Sequence, residues 1–224
     1  MTFIFLNIII QNYNEAAMFI NIEGIDGSGK TTLVNNLKNT FPDFYYTREP
    51  TDGFDYAGLV PLENEYNSIL DFFLFTYDRI RHQKEIKENI KNIVISDRYI
   101  ASSIAYEGPL IERFFSGIDE TIQYLMDVSR PVKCMPDVII YLDVKIDTAL
   151  KRIINNRKVL KYRDEKLSVL EKKNVLGFVS TYYLYFLKNI KKFTGTDIRV
   201  EYIDANRPEN MVLNDTIKII EKLL

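Results

Sequence analysis

The stretch Gly24-Ile25-Asp26-Gly27-Ser28-Gly29-Lys30-Thr31 fits the pattern G-x-x-x-x-G-K-[ST] at every fixed position, and nothing else in the 224 residues limits the fold so sharply. Such a loop works between a strand and a helix. Its glycines let successive backbone N–H groups turn inward, and the helix N-terminus adds partial positive charge, so the loop cradles phosphate. Both flanks meet that demand. Residues 18–22 read as a short buried strand, and residues 32–37 open a helix with Leu33, Val34 and Leu37 on one face. Gly24, Ile25, Asp26, Gly27, Ser28, Gly29, Lys30 and Thr31 are therefore the candidate binding residues for a nucleoside triphosphate such as ATP. Lys30 reaches the β- and γ-phosphates in this arrangement, and Thr31 offers a hydroxyl to Mg2+. An ordinary glycine-rich turn is the competing reading, and the flanking strand and helix argue against it.

Beyond the first helix the chain alternates strand and helix. Residues 44–47 read as a second strand, and Arg48 at its carboxyl end is placed to meet a ligand, as strand ends are in open α/β sheets. A surface salt bridge to Glu49 is the alternative. Residues 65–90 carry a helical pattern in which Phe75 and Arg79, four apart, share a face. An aromatic plane beside a planar donor fork can sandwich and read a flat base, although such a pair is more often core and rim. A third strand, residues 92–96, delivers Asp97 and Arg98. An acid there suits a second Mg2+ contact, and an arginine beside it suits phosphate. Ser102, Ser103 and Tyr106 come next, at spacings that put them on one helix face near the same pocket.

Residues 137–143 give a fourth strand, 146–156 a helix, 168–193 a long helix, 199–203 a fifth strand and 208–224 a closing helix. Between them the basic stretch 157–166 breaks the periodicity and reads as a mobile lid. The expected architecture is α/β: a three-layer sandwich around the phosphate loop, with a five-stranded parallel sheet and helices on both faces. One domain, residues 18–224, carries it. Residues 1–17 read as a non-catalytic extension, or as an added edge strand. Their apolar run 3–10 is too short to span a bilayer, and no Lys or Arg precedes it.

Charge excludes some partners. A net charge of −2 argues against wholesale binding to nucleic acid or an anionic membrane. Residues 145–173 nevertheless hold ten Lys or Arg against four Asp or Glu, which suits a polyphosphate partner as well as it suits a solvated helix face. Cys134 and His82 are the only residues of their kinds, so no disulfide or Cys/His cluster can form, and a reducing cytoplasm is the natural compartment. Both are read as packing or surface residues.

Four segments together resemble the thymidylate kinase family: the 24–31 loop, Thr47-Arg48-Glu49-Pro50, the Phe75 and Arg79 pair, and Asp97-Arg98-Tyr99 running on to Ser102, Ala105, Tyr106 and Gly108. The resemblance spans residue 18 to the C-terminus. It implies a P-loop nucleoside monophosphate kinase that converts dTMP to dTDP with ATP and Mg2+, usually as a homodimer. It also implies site roles. Asp26 matches the carboxylate that touches the acceptor 3′-hydroxyl, Arg48 and Arg98 the pair on the acceptor phosphate, and Phe75 the ring stacked on thymine. Arg79 matches the donor to thymine O4, Ser102 and Ser103 polar contacts to base and phosphate, and Tyr106 the residue crowding the 2′ position. Thr31 and Asp97 are the metal candidates. Family members carry a catalytic basic residue either in the phosphate loop or in the lid. Here the loop position is Gly27, so Arg157 and Arg163 join Lys30 and Arg98 as catalytic candidates.

The sequence departs from the family pattern at Thr51-Asp52-Gly53, Ser103, Glu107 and Tyr162. Three other readings compete. A related deoxynucleotide or deoxynucleoside kinase would need a different base-reading set. A GTP-reading switch would carry Asn-Lys-x-Asp, which does not occur. A non-catalytic nucleotide-binding homologue would not need Lys30, Thr31, Asp97 and Arg98 together.

Overall fold

A computed structural model describes residues 17–54, 67–159 and 172–224. The expected extension, apart from Ala17, and lid residues 160–166, Arg163 among them, lie outside the described residues.

Five strands, β1 (Met18–Glu23), β2 (Tyr45–Arg48), β3 (Ile93–Asp97), β4 (Val138–Asp143) and β5 (Arg199–Asp204), form one parallel sheet in the order β2-β3-β1-β4-β5. A parallel sheet lies under crossover helices on both faces, so its central strands must be apolar almost throughout. β1, β3 and β4 comply: Phe19, Ile20, Ile22, Ile93, Val94, Ile95, Ile139, Ile140 and Leu142 are buried. Of the polar exceptions, Asn21 and Ser96 are register partners, and the Asn21 amide donates to the Ser96 carbonyl at 3.3 Å, while Glu23 is buried at the carboxyl end of β1.

The helices are α1 (Lys30–Thr40), α2 (Asn67–Asn89), α3 (Ile100–Ile111), α4 (Ile118–Val128), α5 (Ile146–Val159), α6 (Lys173–Lys188), α7 (Ile190–Thr194) and α8 (Glu209–Leu223). α1 packs with α8, while α3 packs with α2, α4 and α6; right-handed crossovers put these two groups on opposite faces. The α3–α6 approach is close enough to dictate a residue. A Cβ on Gly108 would stand 2.3 Å from the Tyr182 ring.

Three elements differ from the sequence reading. α5 continues to Val159, because nothing after Asn156 breaks a helix, and Arg157 therefore sits on the helix. The long helix expected over 168–193 is split at Asn189, whose side-chain amide donates to the Tyr185 carbonyl at 2.8 Å. That local bond competes with the helical ladder, and the chain leaves it at φ −111°, ψ 21°. α4 and the turn Glu112–Phe114 lie where the sequence pattern assigns no element. Gly117 with Asp119 and Glu120 in the first turn is the start signal there.

Register decides the location of chemistry. Ile22, Asp97 and Arg48 stand level at the carboxyl edge of the sheet. The loops leaving β1, β2 and β3 therefore share one crevice.

Candidate active site

The phosphate loop comes first. Gly29, at φ +98°, caps α1, and no acidic side chain occupies the first turn to offset the positive helix end. Lys30 is buried and its Nζ donates to the carbonyls of Gly24 at 2.7 Å and Ile25 at 3.0 Å. Burial and then the Arg98 charge push Lys30 down to about 8, against the pull of Asp26, Asp97 and Glu23. Gly27 has φ +78°, and a Cβ there would lie 2.4 Å from the Ala149 carbonyl oxygen of α5. No side chain fits at that position. Arg152 of α5 clamps the same loop, donating to the carbonyls of Gly27 at 3.3 Å and Ala205 at 2.8 Å. It lines a cleft of about 260 Å3 with Asn156 and Arg207.

A metal has a place beside the lysine. The Thr31 hydroxyl donates to Asp97 Oδ2 at 2.8 Å, while Asp97 Oδ1 is buried without a partner. One orphaned carboxylate oxygen and one hydroxyl suit Mg2+, which prefers a few protein oxygens completed by phosphate and water. Among the described residues no group of three or more His, Cys, Asp or Glu could hold a metal alone.

On the other side of Asp97 lies a cavity of about 220 Å3. Arg98 enters it from a left-handed backbone, φ +72°, a conformation that costs roughly 1–2 kcal/mol outside glycine. Its N–H donates to the Ile22 carbonyl at 3.0 Å, and the Ser96 hydroxyl donates to its carbonyl at 2.6 Å. The guanidinium ion-pairs with Asp26 and lies over the Tyr106 ring at 5.2 Å. Burial opposes the charge on Asp26, but Arg98 and Lys30 together hold its carboxyl below the usual range. Tyr106 is pinned in turn, its hydroxyl accepting the Asp26 N–H at 2.8 Å.

Deeper in, Arg79 is 1% exposed. Its Nε donates to Glu49 at 2.8 Å and its Nη2 to the Ser103 hydroxyl at 2.8 Å, while Nη1 is buried without a partner. Glu49 also faces His82 Nδ1 at 3.1 Å, and His82 Nε2 lies 2.6 Å from the Thr47 hydroxyl. Ser102 is occupied differently. Its hydroxyl donates to Glu23 at 2.7 Å and meets the Tyr183 hydroxyl at 2.8 Å.

The expected residues thus gather unevenly. Asp26, Phe75, Arg79, Arg98, Ser102, Ser103 and Tyr106 line one cavity. Arg48 does not line it: it borders a neighbouring cavity of about 850 Å3 with Thr31 and Asp97, and its 65% exposed side chain pairs with Asp52. The alternative pairing of Arg48 with Glu49 does not occur, because Glu49 turns to Arg79 and His82. His82 is a buried hydrogen-bonding residue and Cys134 a buried thiol. Four further residues stand out that the sequence reading gives no site role: Glu23, Glu49, Glu107 and Arg152. Glu23 ends the apolar run of β1, Glu49 lies within the Thr47-Arg48-Glu49-Pro50 segment, Glu107 is one of the departures from the family pattern, and Arg152 belongs to the basic stretch.

The family model described as Thymidylate kinase matches residues 22–216. A probable thymidylate kinase of Picrophilus torridus is 47% identical over 205 residues, covering 92% of this chain and 96% of its own length. A probable thymidylate kinase of Methanococcus aeolicus is 36% identical over 213 residues, with 92% and 95% covered. The thymidylate kinase of Leuconostoc mesenteroides is 32% identical over 230 residues, with 92% and 96% covered.

Proposed function

The chain belongs to the thymidylate kinase family, and from that premise we propose that it transfers the γ-phosphoryl group of ATP to dTMP through the residues gathered at the carboxyl edge of its sheet. It is a kinase whose product, dTDP, feeds dTTP biosynthesis. The observation that carries the assignment of the acceptor site is the unpartnered Nη1 of Arg79 in a cavity that also holds Phe75 and the Asp26–Arg98 pair. A buried donor left without a partner costs about 1–3 kcal/mol, and a base carbonyl would relieve it.

The division of labour comes from charge and position. The loop N–H groups and Lys30 take the triphosphate, Lys30 exchanging its two loop carbonyls for phosphate oxygens. Arg98 holds the acceptor phosphate, Asp26 the sugar 3′-hydroxyl, and Phe75 and Arg79 the base. Tyr106 fills the space beside the sugar. Arg48, at the sheet edge beside Asp97, approaches the acceptor phosphate once released from Asp52. Thr31 and Asp97 would hold Mg2+, which, when bound, neutralises charge developing between the two phosphates. The attacking phosphate oxygen is already an anion, so no general base is needed. In-line placement and positive charge carry the catalysis. Gly27 admits no side chain, so further charge on the transferred group must come from Arg157 and Arg163.

A homodimer suits an apolar stripe on α2, where Leu70, Phe73, Tyr77 and Ile80 are exposed at helical spacing. Among the described residues no helix is long and apolar enough to cross a membrane, and the cytoplasm is the compartment this reading assigns. Residues 18–224 form the catalytic domain and 1–17 an extension with no part in the chemistry.

The deciding assay is ADP release with Mg2+ and ATP against dTMP, dUMP, dCMP, dGMP and thymidine. dTMP should stand first. Faster turnover of thymidine, or no dTMP-dependent ADP, overturns the reading.

A further inference from the structure

A buried acid stands behind Arg98 without meeting the acceptor cavity. Glu23 ends β1, is 0% exposed and does not line that cavity. Three donors converge on it. Its Oε1 accepts the Tyr99 N–H at 2.8 Å, and its Oε2 accepts the Ser102 hydroxyl at 2.7 Å and the Tyr183 hydroxyl at 2.9 Å. Burial holds the carboxyl above its usual range, against the pull of Ser102, Arg98, Tyr183 and Tyr99.

The convergence answers two needs of the chain. α3 starts at Tyr99 with no capping side chain of its own and no acid in its first turn. A helix start carries unpartnered N–H groups and partial positive charge, so an acid from elsewhere is stabilising there. Ile22 stands level with Asp97 in the sheet, which brings the next residue of β1 to the turn into α3. The second need is that of Arg98, whose backbone is left-handed. The peptide joining Arg98 to Tyr99 is held on both edges, its carbonyl by the Ser96 hydroxyl at 2.6 Å and its N–H by Glu23. At the far end of the side chain, Nη1 donates to the Ser102 oxygen at 3.3 Å, and the Ser102 hydrogen is directed at Glu23. One acid thus holds both root and tip of the arginine. Asp26 grips the other nitrogen, Nη2, but Asp26 lines the cavity and is itself assigned to the sugar. Only the Glu23 side of the arrangement is shielded from an incoming ligand.

We propose that Glu23 is a positioning residue for phosphoryl transfer, aiming the Arg98 guanidinium at the acceptor phosphate through the Arg98–Tyr99 peptide and the Ser102 hydroxyl. The proposal rests on dTMP being the acceptor and on Arg98 meeting its phosphate.

Titration calorimetry with dTMP and with thymidine, in the absence of ATP, reads the share of the phosphate in binding as the ratio of the two dissociation constants. The proteins compared are native, Glu23→Met, Arg98→Ala and the double variant. Glu23→Met keeps the volume and removes every acceptor. It should lower the dTMP advantage by roughly 10- to 100-fold, the range for hydrogen bonds to a charged group, with thymidine binding within about three-fold of native. In the Arg98→Ala background the same change should lower the ratio no further. A purely structural acid would instead lower Tm and weaken both ligands alike. An unchanged ratio in Glu23→Met, equal weakening of dTMP and thymidine, or a full additional loss in the double variant overturns the proposal. Should Glu23→Met fail to fold, Glu23→Gln carries the test. Glutamine keeps an acceptor for the Tyr99 N–H but turns donors toward the two hydroxyls, so the ratio should fall a few-fold, and a native ratio overturns the proposal. A native ratio in Arg98→Ala defeats the assignment of the phosphate to Arg98, and the proposal with it.

Discussion

Removal of Arg79 separates recognition from stability more clearly than any other single change in the cavity. In the native chain its Nε and Nη2 serve Glu49 and Ser103 inside the protein, and Nη1 is buried without a partner, the atom proposed to meet the base. Arg79→Met therefore does two things. Losing a charge-assisted hydrogen bond to the base costs about 1.5–3 kcal/mol, roughly 10- to 150-fold in kcat/KM for dTMP. Leaving Glu49 buried with only His82 beside it costs about 3–5 kcal/mol of stability. In a chain of this size that lowers Tm by roughly 6–20 °C. The double variant Arg79→Met, Glu49→Gln removes the stranded charge, so it should recover most of the Tm and none of the dTMP preference. Steady-state kinetics on dTMP and dCMP, with calorimetric melting of all three proteins, gives both quantities. Equal loss for dTMP and dCMP would refute the role of Arg79 as reader of O4. An unchanged Tm in Arg79→Met would refute the claim that the Glu49 pair is integral to the fold.

The same geometry sets three other outcomes. Only protonated Lys30 attracts phosphate and its free-state value is about 8, so ATP affinity without dTMP should weaken as pH rises through 8; calorimetry showing constant affinity from about pH 6.5 to 9.5 would contradict this. Lys30→Ala should cost about a hundredfold or more in turnover. Tyr106→Phe should keep the deoxy preference because the ring under Arg98 remains, whereas Tyr106→Ala should admit ribonucleotides; continued rejection by the alanine variant means another residue guards the 2′ position. Arg157→Ala or Arg163→Ala should lower kcat strongly with little change in dTMP KM, and unchanged kcat in both and in the double variant would leave the transition-state charge unassigned.

Local rules made much of this legible. The phosphate loop needs a strand before it and a helix after it, and each buried strand is a continuous apolar run, so β1, β3 and β4 could be read within a residue or two. Contacts between distant segments were less accessible. Arg48 and Glu49 are neighbours in sequence, but successive residues of an extended chain point to opposite sides. The choice between Asp52 for one and Arg79 for the other is made by packing of α2, which no local pattern encodes. Asn189 ends α6 through a side-chain bond that helical periodicity does not register. Glu107 was within reach: α3 is buried on every side from Ile100 to Gly108, its sequence there holds no other charged residue, and an acid in such a helix must be paired, neutral or functional.

The strand order explains why donor and acceptor meet where they do. β1 is the central strand, and the chain leaves it toward β2 and β3 on one side before returning to β4 and β5 on the other. The loop after β1 therefore sits where the order reverses, with crevices opening to either hand. On the β3 side are Arg98 and the start of α3, which line the cavity proposed for the acceptor. On the β4 and β5 side are Arg152, Arg207 and Ala205, which border the cleft beneath α5 and α8. Lys30 stands between them, bonded to the loop from below and coupled to charges from both β1 and β3. On the proposed reading, a triphosphate laid along this loop would point its last phosphate toward Arg98, so the line along which two phosphates approach would follow from the topology of the sheet, with the side chains left to neutralise their charge.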